Sequence, residues 1–279
     1  MINFNGNNGI RENIKIEGRY IIMRIVVKVG TSTLTHKTGN LNIHRVEQLC
    51  KVMSDIKNAG NEMILVTSGA MGMGIGKIGL TKRPDDIATK QAVAAIGQCE
   101  LMYTYDKLFS DYNHCVAQVL VTKADIDDEV HRKNLYNTLS RLLELNTIPI
   151  INENDSVATE EFYIGENDSL AAFVSASIHA DLVILLSDID GLFTSDPHKD
   201  KNAKLISEVT EITPEILALA GGTGSSFGTG GMITKIHAAQ ITMEAGCDMV
   251  IANGLNPEIL YDIVEGKNVG TKFVAGGKK

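Results

Sequence analysis

The stretch Met23-Arg24-Ile25-Val26-Val27-Lys28-Val29-Gly30, followed by Thr31-Ser32-Thr33, decides how the rest of the chain is read. A β-branched run ended by glycine and hydroxyl residues reads as a buried central strand opening into a tight loop. Lys28 interrupts it. An ammonium is rarely buried without a partner. One reading is an edge strand whose lysine reaches water. The other is a central strand whose lysine and loop amides converge where anions bind in open α/β sheets, at the carboxyl ends of the strands.

Working outward, apolar spacing predicts a helix over 43–56 with Gly60 as its stop, then a strand over 63–67. A glycine-dense stretch (Gly72, Gly74, Gly76, Gly79) reads as a mobile lid or substrate loop. Asp85 and Asp86 precede a long helix reaching Phe109. Strands are expected over 115–121, 148–151, 182–186 and 249–251. Helices are expected over 129–145, from Asn167, from Thr213-Pro214, and from Met232 to Ala245. Strands alternating with helices predict an α/β fold, a three-layer αβα sandwich around a mostly parallel sheet. Polar or glycine clusters end four strands, at Lys28-Gly30, Ser68-Gly69, Asn152–155 and Ser187-Asp188. In a parallel sheet those ends share one edge, which favours a site over a packing account.

The division expected is an N-terminal extension over 1–22, a core over 23–265 and a frayed tail over 266–279. Ile16-Glu17-Gly18-Arg19 resembles an expression linker that proteases cleave. At 279 residues the chain is long enough for a full-sized core, and a net charge of −8 disfavours nucleic-acid and membrane partners. Cys50, Cys99, Cys115 and Cys247 form no C-x-x-C pair, so buried free thiols and a cytoplasmic location are expected. No membrane-length apolar run or signal peptide is visible.

Several motifs fail on context. Gly74-Ile75-Gly76-Lys77-Ile78-Gly79 matches G-x-G-x-x-G, but Ser68-Gly69-Ala70-Met71 separate it from the strand, so it is not a dinucleotide fingerprint. Gly76-Lys77 is not a P-loop, because Ile78 stands where a hydroxyl must hold magnesium. The histidines show no metal-binding spacing. The loop Thr229-Gly230-Gly231-Met232-Ile233-Thr234-Lys235 is more informative. It would set free amides and Lys235 at a helix N-terminus, suited to phosphate, or else be a solvated surface loop. With Lys28, the pattern is two lysines from opposite ends of the chain aimed at one anion.

Taken together, Val27-Lys28-Val29-Gly30-Thr31-Ser32, Val66-Thr67-Ser68-Gly69-Ala70, Asn152-Glu153-Asn154-Asp155-Ser156-Val157, Gly165-Glu166-Asn167-Asp168, Leu186-Ser187-Asp188-Ile189-Asp190-Gly191-Leu192 and Gly228-Thr229-Gly230-Gly231-Met232 resemble the glutamate 5-kinases of the amino acid kinase family. The resemblance implies transfer of the ATP γ-phosphoryl group to the side-chain carboxylate of L-glutamate, giving γ-glutamyl phosphate for proline synthesis. It also implies Mg²⁺, proline feedback inhibition and a homodimer or homotetramer.

By motif position, Lys28, Asp168 and Lys235 would be catalytic, with Asp168 orienting the lysines. Ser68, Gly69, Ala70, Asn152, Asp155 and Asn167 would hold glutamate. Lys28, Gly30, Ser187, Asp188, Thr229, Gly230, Gly231, Met232, Ile233, Thr234 and Lys235 would hold ATP. No metal ligand is assigned. The chain ends too early for the PUA domain many relatives carry, so the short form is expected. Position 187, often Thr in relatives, keeps its hydroxyl as Ser. A carboxylate acceptor is already ionised and needs no general base, and charge neutralisation does the work. Asp168 could instead cap its helix, and Ser68 could be a turn hydroxyl. A sister kinase acting on N-acetylglutamate or aspartate, and a non-catalytic amino-acid sensor, are the competing functions.

Overall fold

Ile25, Val26, Val27 and Val29 are wholly withdrawn from water in the computed structural model, which describes residues 22–36, 40–157, 166–197, 199–220 and 231–276. In chain order the elements are β1 (Arg24–Val29), α1 (Thr31–Leu34), α2 (Ile43–Asn58), β2 (Glu62–Val66), α3 (Ala70–Ile78), α4 (Ile87–Ser110), β3 (Val116–Val121), α5 (Lys123–Asp127), α6 (Glu129–Glu144) and β4 (Ile148–Glu153). They continue with α7 (Glu166–Ser177), β5 (Leu182–Ser187), β6 (Glu208–Val209), α8 (Pro214–Ala220), α9 (Met232–Glu244), β7 (Asp248–Asn253), α10 (Ile259–Val264) and β8 (Thr271–Phe273).

The eight strands lie in the order β3-β4-β2-β1-β5-β7-β8-β6. Every neighbouring pair is parallel except β7 with β8. Helices cover both faces, because a sheet this apolar must be shielded on each side. Ile25, Val27 and Val29 point to the layer of α2, α4 and α10, and Val26 points to the layer of α7 and α9. The α/β sandwich expected from the strand–helix alternation is the fold observed. β1 is a central strand, so the edge-strand reading of Lys28 falls.

β1 connects to β2 on one side, while its other neighbour, β5, connects onward away from it. The β1–β5 boundary is therefore a topological switch point, where a crevice opens beyond the strand ends.

Two expectations are corrected. The glycine-dense stretch over 72–79 is helix α3, not a loop. A Cβ added at Gly74 would lie 1.9 Å from the Val93 carbonyl oxygen, and one at Gly97 would lie 1.8 Å from that of Ala70. The glycines thus let the backbones of α3 and α4 touch. The tail is not frayed up to residue 276. Phe273 is fully buried, and the Thr271 hydroxyl donates to the Ile206 carbonyl (2.6 Å) and accepts from the Leu192 N–H (2.8 Å). A three-residue strand beside a glycine-rich end carries too little pattern to be read. Cys50 and Cys247 are buried free thiols as expected, but Cys99 and Cys115 are exposed. Among the described residues no helix is long and apolar enough to cross a membrane.

The helix contact makes a paired prediction. Gly97→Ala forces α3 and α4 apart and lowers unfolding free energy by about 1–3 kcal/mol. Gly72→Ala meets nothing within 4 Å and raises it by about 0.5–1 kcal/mol through helix propensity. Urea titrations of both variants check the opposite signs.

His114, buried at the end of the α4–β3 connection, gives a second. Burial pushes its imidazole below the usual range, aided by the nearby Lys57 cation and opposed by the Ser54 backbone. The unfolded chain then binds this proton more readily than the folded one, so stability is lost as pH falls through the ordinary histidine range. His114→Gln flattens the decline in urea midpoint between about pH 7.5 and 5. A wild-type slope in the variant would contradict this.

Candidate active site

Strand alternation sends Lys28 to the same face as Val26, towards α7 and α9. There Asp168, the third residue of α7, meets it. Asp168 Oδ1 lies 2.6 Å from Lys28 Nζ, and its Oδ2 lies 3.1 Å from Lys235 Nζ. The three side chains are 2%, 12% and 8% exposed, in the order Asp168, Lys28, Lys235. Burial alone would raise the Asp168 carboxyl; the two ammonium groups outweigh it and hold the carboxyl below the usual carboxylate range. The Thr234 hydroxyl donates towards Asp168 Oδ2 (3.0 Å) and also lies 2.8 Å from the Gly231 carbonyl. Asp168 therefore ties two distant segments together, and it does not cap α7, which begins two residues earlier at Glu166.

On the β2–β4 side, buried amides form a chain. Asn167 Nδ2 reaches the Thr67 carbonyl (2.5 Å), Ser68 Oγ (2.8 Å) and Asn152 Oδ1 (3.1 Å). Ser68 thus serves more than a turn. Gly69 takes a left-handed φ of 103° and starts α3 with no side-chain cap, leaving Ala70 as the first helical residue. Such a terminus presents unpaired amides. Asp155 sits half-buried in the turn after β4. Burial pushes its carboxyl up, and the Arg83 charge counters this.

On the β5–β7 side, buried Ser187 donates to Asp188 Oδ1 (3.2 Å), and Asp188 is exposed. Gly30 leads from β1 into α1, and a Cβ there would lie 3.6 Å from Lys28 Nζ. Gly231 precedes α9 without a side-chain cap, followed by Met232, exposed Ile233 and buried Thr234. Thr229 and Gly230, like Gly165 and the rest of the glycine loop over 221–230, lie outside the described residues. An open depression of about 540 Å³ past the end of β7, lined by Asn253, Asn256, Glu258 and Tyr261, belongs to the α10 layer and not to this cluster.

Three contributors escaped the sequence reading. Gln98 of α4 accepts from Asn152 Nδ2 (2.8 Å), Tyr105 meets the Thr67 hydroxyl (2.8 Å), and the Thr67 carbonyl anchors Asn167. The available signal was two polar residues on the buried side of α4, masked by its apolar composition.

The model of the amino acid kinase family matches residues 23–253. The chain belongs to the amino acid kinase family. Among its relatives, a glutamate 5-kinase of Clostridium perfringens is 53% identical over 256 residues, which is 90% of this chain and 95% of that protein. A glutamate 5-kinase of Listeria monocytogenes is 50% identical over 256 residues, 90% of this chain and 93% of that one. A solved carbamate kinase of Giardia lamblia bound to AMP-PNP superposes with a TM-score of 0.64 at 16% identity, covering 91% of this chain and 99% of that one, a likeness of fold.

As in any kinase, the family chemistry is phosphoryl transfer, which asks for positive charge positioned around the transferring group. In this chain Asp168 stores two buried ammonium groups. Replacing it tests the storage. Asp168→Asn leaves two buried ammonium groups without their carboxylate and costs about 3–5 kcal/mol of stability. A denaturation midpoint equal to the wild type's would show that the lysines reach water instead.

Proposed function

We propose that this chain transfers the γ-phosphoryl group of ATP to the side-chain carboxylate of L-glutamate, forming γ-glutamyl phosphate and ADP, the first step of proline synthesis. The observation that carries the phosphoryl-transfer reading is the pair of lysines held on one buried carboxylate at the switch point of the sheet. The choice of glutamate draws on the 50–53% identity to glutamate 5-kinases.

In this mechanism a glutamate carboxylate oxygen attacks the γ-phosphorus while the bond to the bridging oxygen of ADP breaks. The acceptor is ionised at neutral pH, so no side chain has to remove a proton. Lys28 and Lys235 neutralise the charge that spreads over the transferring group, and Asp168 keeps their amines apart and aimed. Ser68, Gly69, Ala70, Asn152, Asp155 and Asn167 hold glutamate. Asp155 faces the α-ammonium, which selects a free amino acid over an N-acylated one. Gly30, Ser187, Asp188 and the segment from Thr229 through Gly230, Gly231, Met232, Ile233 and Thr234 to Lys235 hold ATP.

Magnesium would travel with the nucleotide phosphates. Among the described residues no group of three or more His, Cys, Asp or Glu side chains is placed to cage a cation, and Mg²⁺ characteristically binds through phosphates and water. Proline inhibition and assembly into dimers or tetramers are carried by the family resemblance, and a cytoplasmic setting by the free cysteines.

ADP release on adding L-glutamate tests the function. Turnover with N-acetylglutamate is expected to be far lower. Lys28→Ala and Lys235→Ala should each lower turnover by about tenfold to a thousandfold, the scale for one lost transition-state contact. Unchanged turnover in both variants would remove the proposed roles.

A further inference from the structure

The three amides on the β2–β4 side run in one direction, and backbone groups set that direction. The Thr67 carbonyl can only accept, so Asn167 must turn its nitrogen that way, at 2.5 Å. The Glu153 N–H can only donate, so Asn152 must show it an oxygen, at 2.9 Å. That same Asn152 oxygen receives Asn167 Nδ2 at 3.1 Å, and Asn152 Nδ2 is left to donate to Gln98 Oε1 at 2.8 Å. Neither asparagine can be flipped without breaking a backbone contact, and a flipped Gln98 would set its nitrogen against Asn152 Nδ2, donor to donor. The two atoms at the ends of the series, Asn167 Oδ1 and Gln98 Nε2, are buried and have no hydrogen-bond partner among the described residues.

A polar residue kept only for packing would be satisfied on both ends or replaced by an apolar one of the same length. Gln98 is 8% exposed, lies beside the Gly97 contact, and uses only its oxygen. Asn167, 7% exposed, keeps an acceptor in reserve at the sheet edge. An acceptor oxygen with its nitrogen held by three partners suits the ammonium of an amino acid, because it cannot rotate to present a donor instead.

We propose that Gln98 is a positioning residue for the amino-acid side of the site: its carbonyl oxygen holds Asn152, and Asn152 in turn fixes Asn167 with its free oxygen ready for the substrate ammonium. The inference rests on the reading that this edge binds the amino-acid acceptor. Without the Gln98 oxygen, the Asn152 nitrogen loses the acceptor it has among the described residues, and the side chain is held through its oxygen alone and can tilt away. Asn167 then loses one of its three anchors, and its oxygen is no longer aimed.

Gln98→Met keeps length and burial but removes the acceptor. The expected result in the full chain is a rise of about tenfold or more in KM for L-glutamate, with KM for ATP and kcat within about twofold, the split for lost ground-state binding. A role in stability alone would move both KM values or neither. Side-chain amide hydrogen exchange supplies a reading that needs no turnover. In the wild-type chain the Asn152 and Asn167 amide protons should exchange at least about tenfold more slowly than those of exposed Asn256, and Gln98→Met should speed the Asn167 protons several-fold. Fast wild-type exchange at Asn152, unchanged exchange at Asn167 in the variant, or an unchanged glutamate KM overturns the proposal. A wild-type chain that releases no ADP with glutamate would instead unseat the function proposed above, and the exchange comparison would still judge the relay.

Discussion

A single carboxylate serving two ammonium groups sets the geometry on which the rest depends. Each oxygen of Asp168 is committed to one lysine, so the separation of the two amines is fixed by the width of a carboxyl group. Withdrawing charges from water is costly unless partners are close and well aligned. The arrangement therefore holds only while β1, α7 and α9 keep their relative positions. The core secures this: Val26, Leu170, Ala171 and Ile236 pack in one cluster around the same three elements. Apolar packing thus carries the cost of presenting concentrated charge at a sheet edge.

The topology divides that edge. The ends of β2 and β4 deliver Ser68, Asn152 and a half-buried carboxyl on one flank, and the end of β5 delivers Ser187 and Asp188 on the other. β1 stands between them with Lys28. A parallel sheet makes this division possible because its strand ends all face one way. The α9 terminus then brings Lys235 to the boundary from far along the chain.

Much of this was legible in residue order. The β-branched run around Lys28 announced a central strand, and the lysine was the anomaly that pointed to an edge site. The polar strand endings at Ser68, Asn152 and Ser187 predicted a shared edge, which a parallel sheet supplies. What could not be read was tertiary in origin. Glycines in α3 mimic a loop in composition, and only the partner helix shows that they are needed for close approach. The strand at 271–273 exists because β7 offers it an edge, not because of its own pattern. Gln98 looks like any polar residue on a long helix until Asn152, half a hundred positions later, comes to rest against it.

The backbone contact between α3 and α4 has a mechanical corollary. No side chain lies between the two helices at Gly74 and Gly97 to act as a bearing surface, and the carbonyls of Val93 and Ala70 obstruct sliding. Gly69 and Gly79, at φ of 103° and 70°, bound α3 at its two ends. A shift of α3 therefore carries α4 with it, and Gly69, where the chain enters the pair from β2, is the left-handed joint about which the two would swing together.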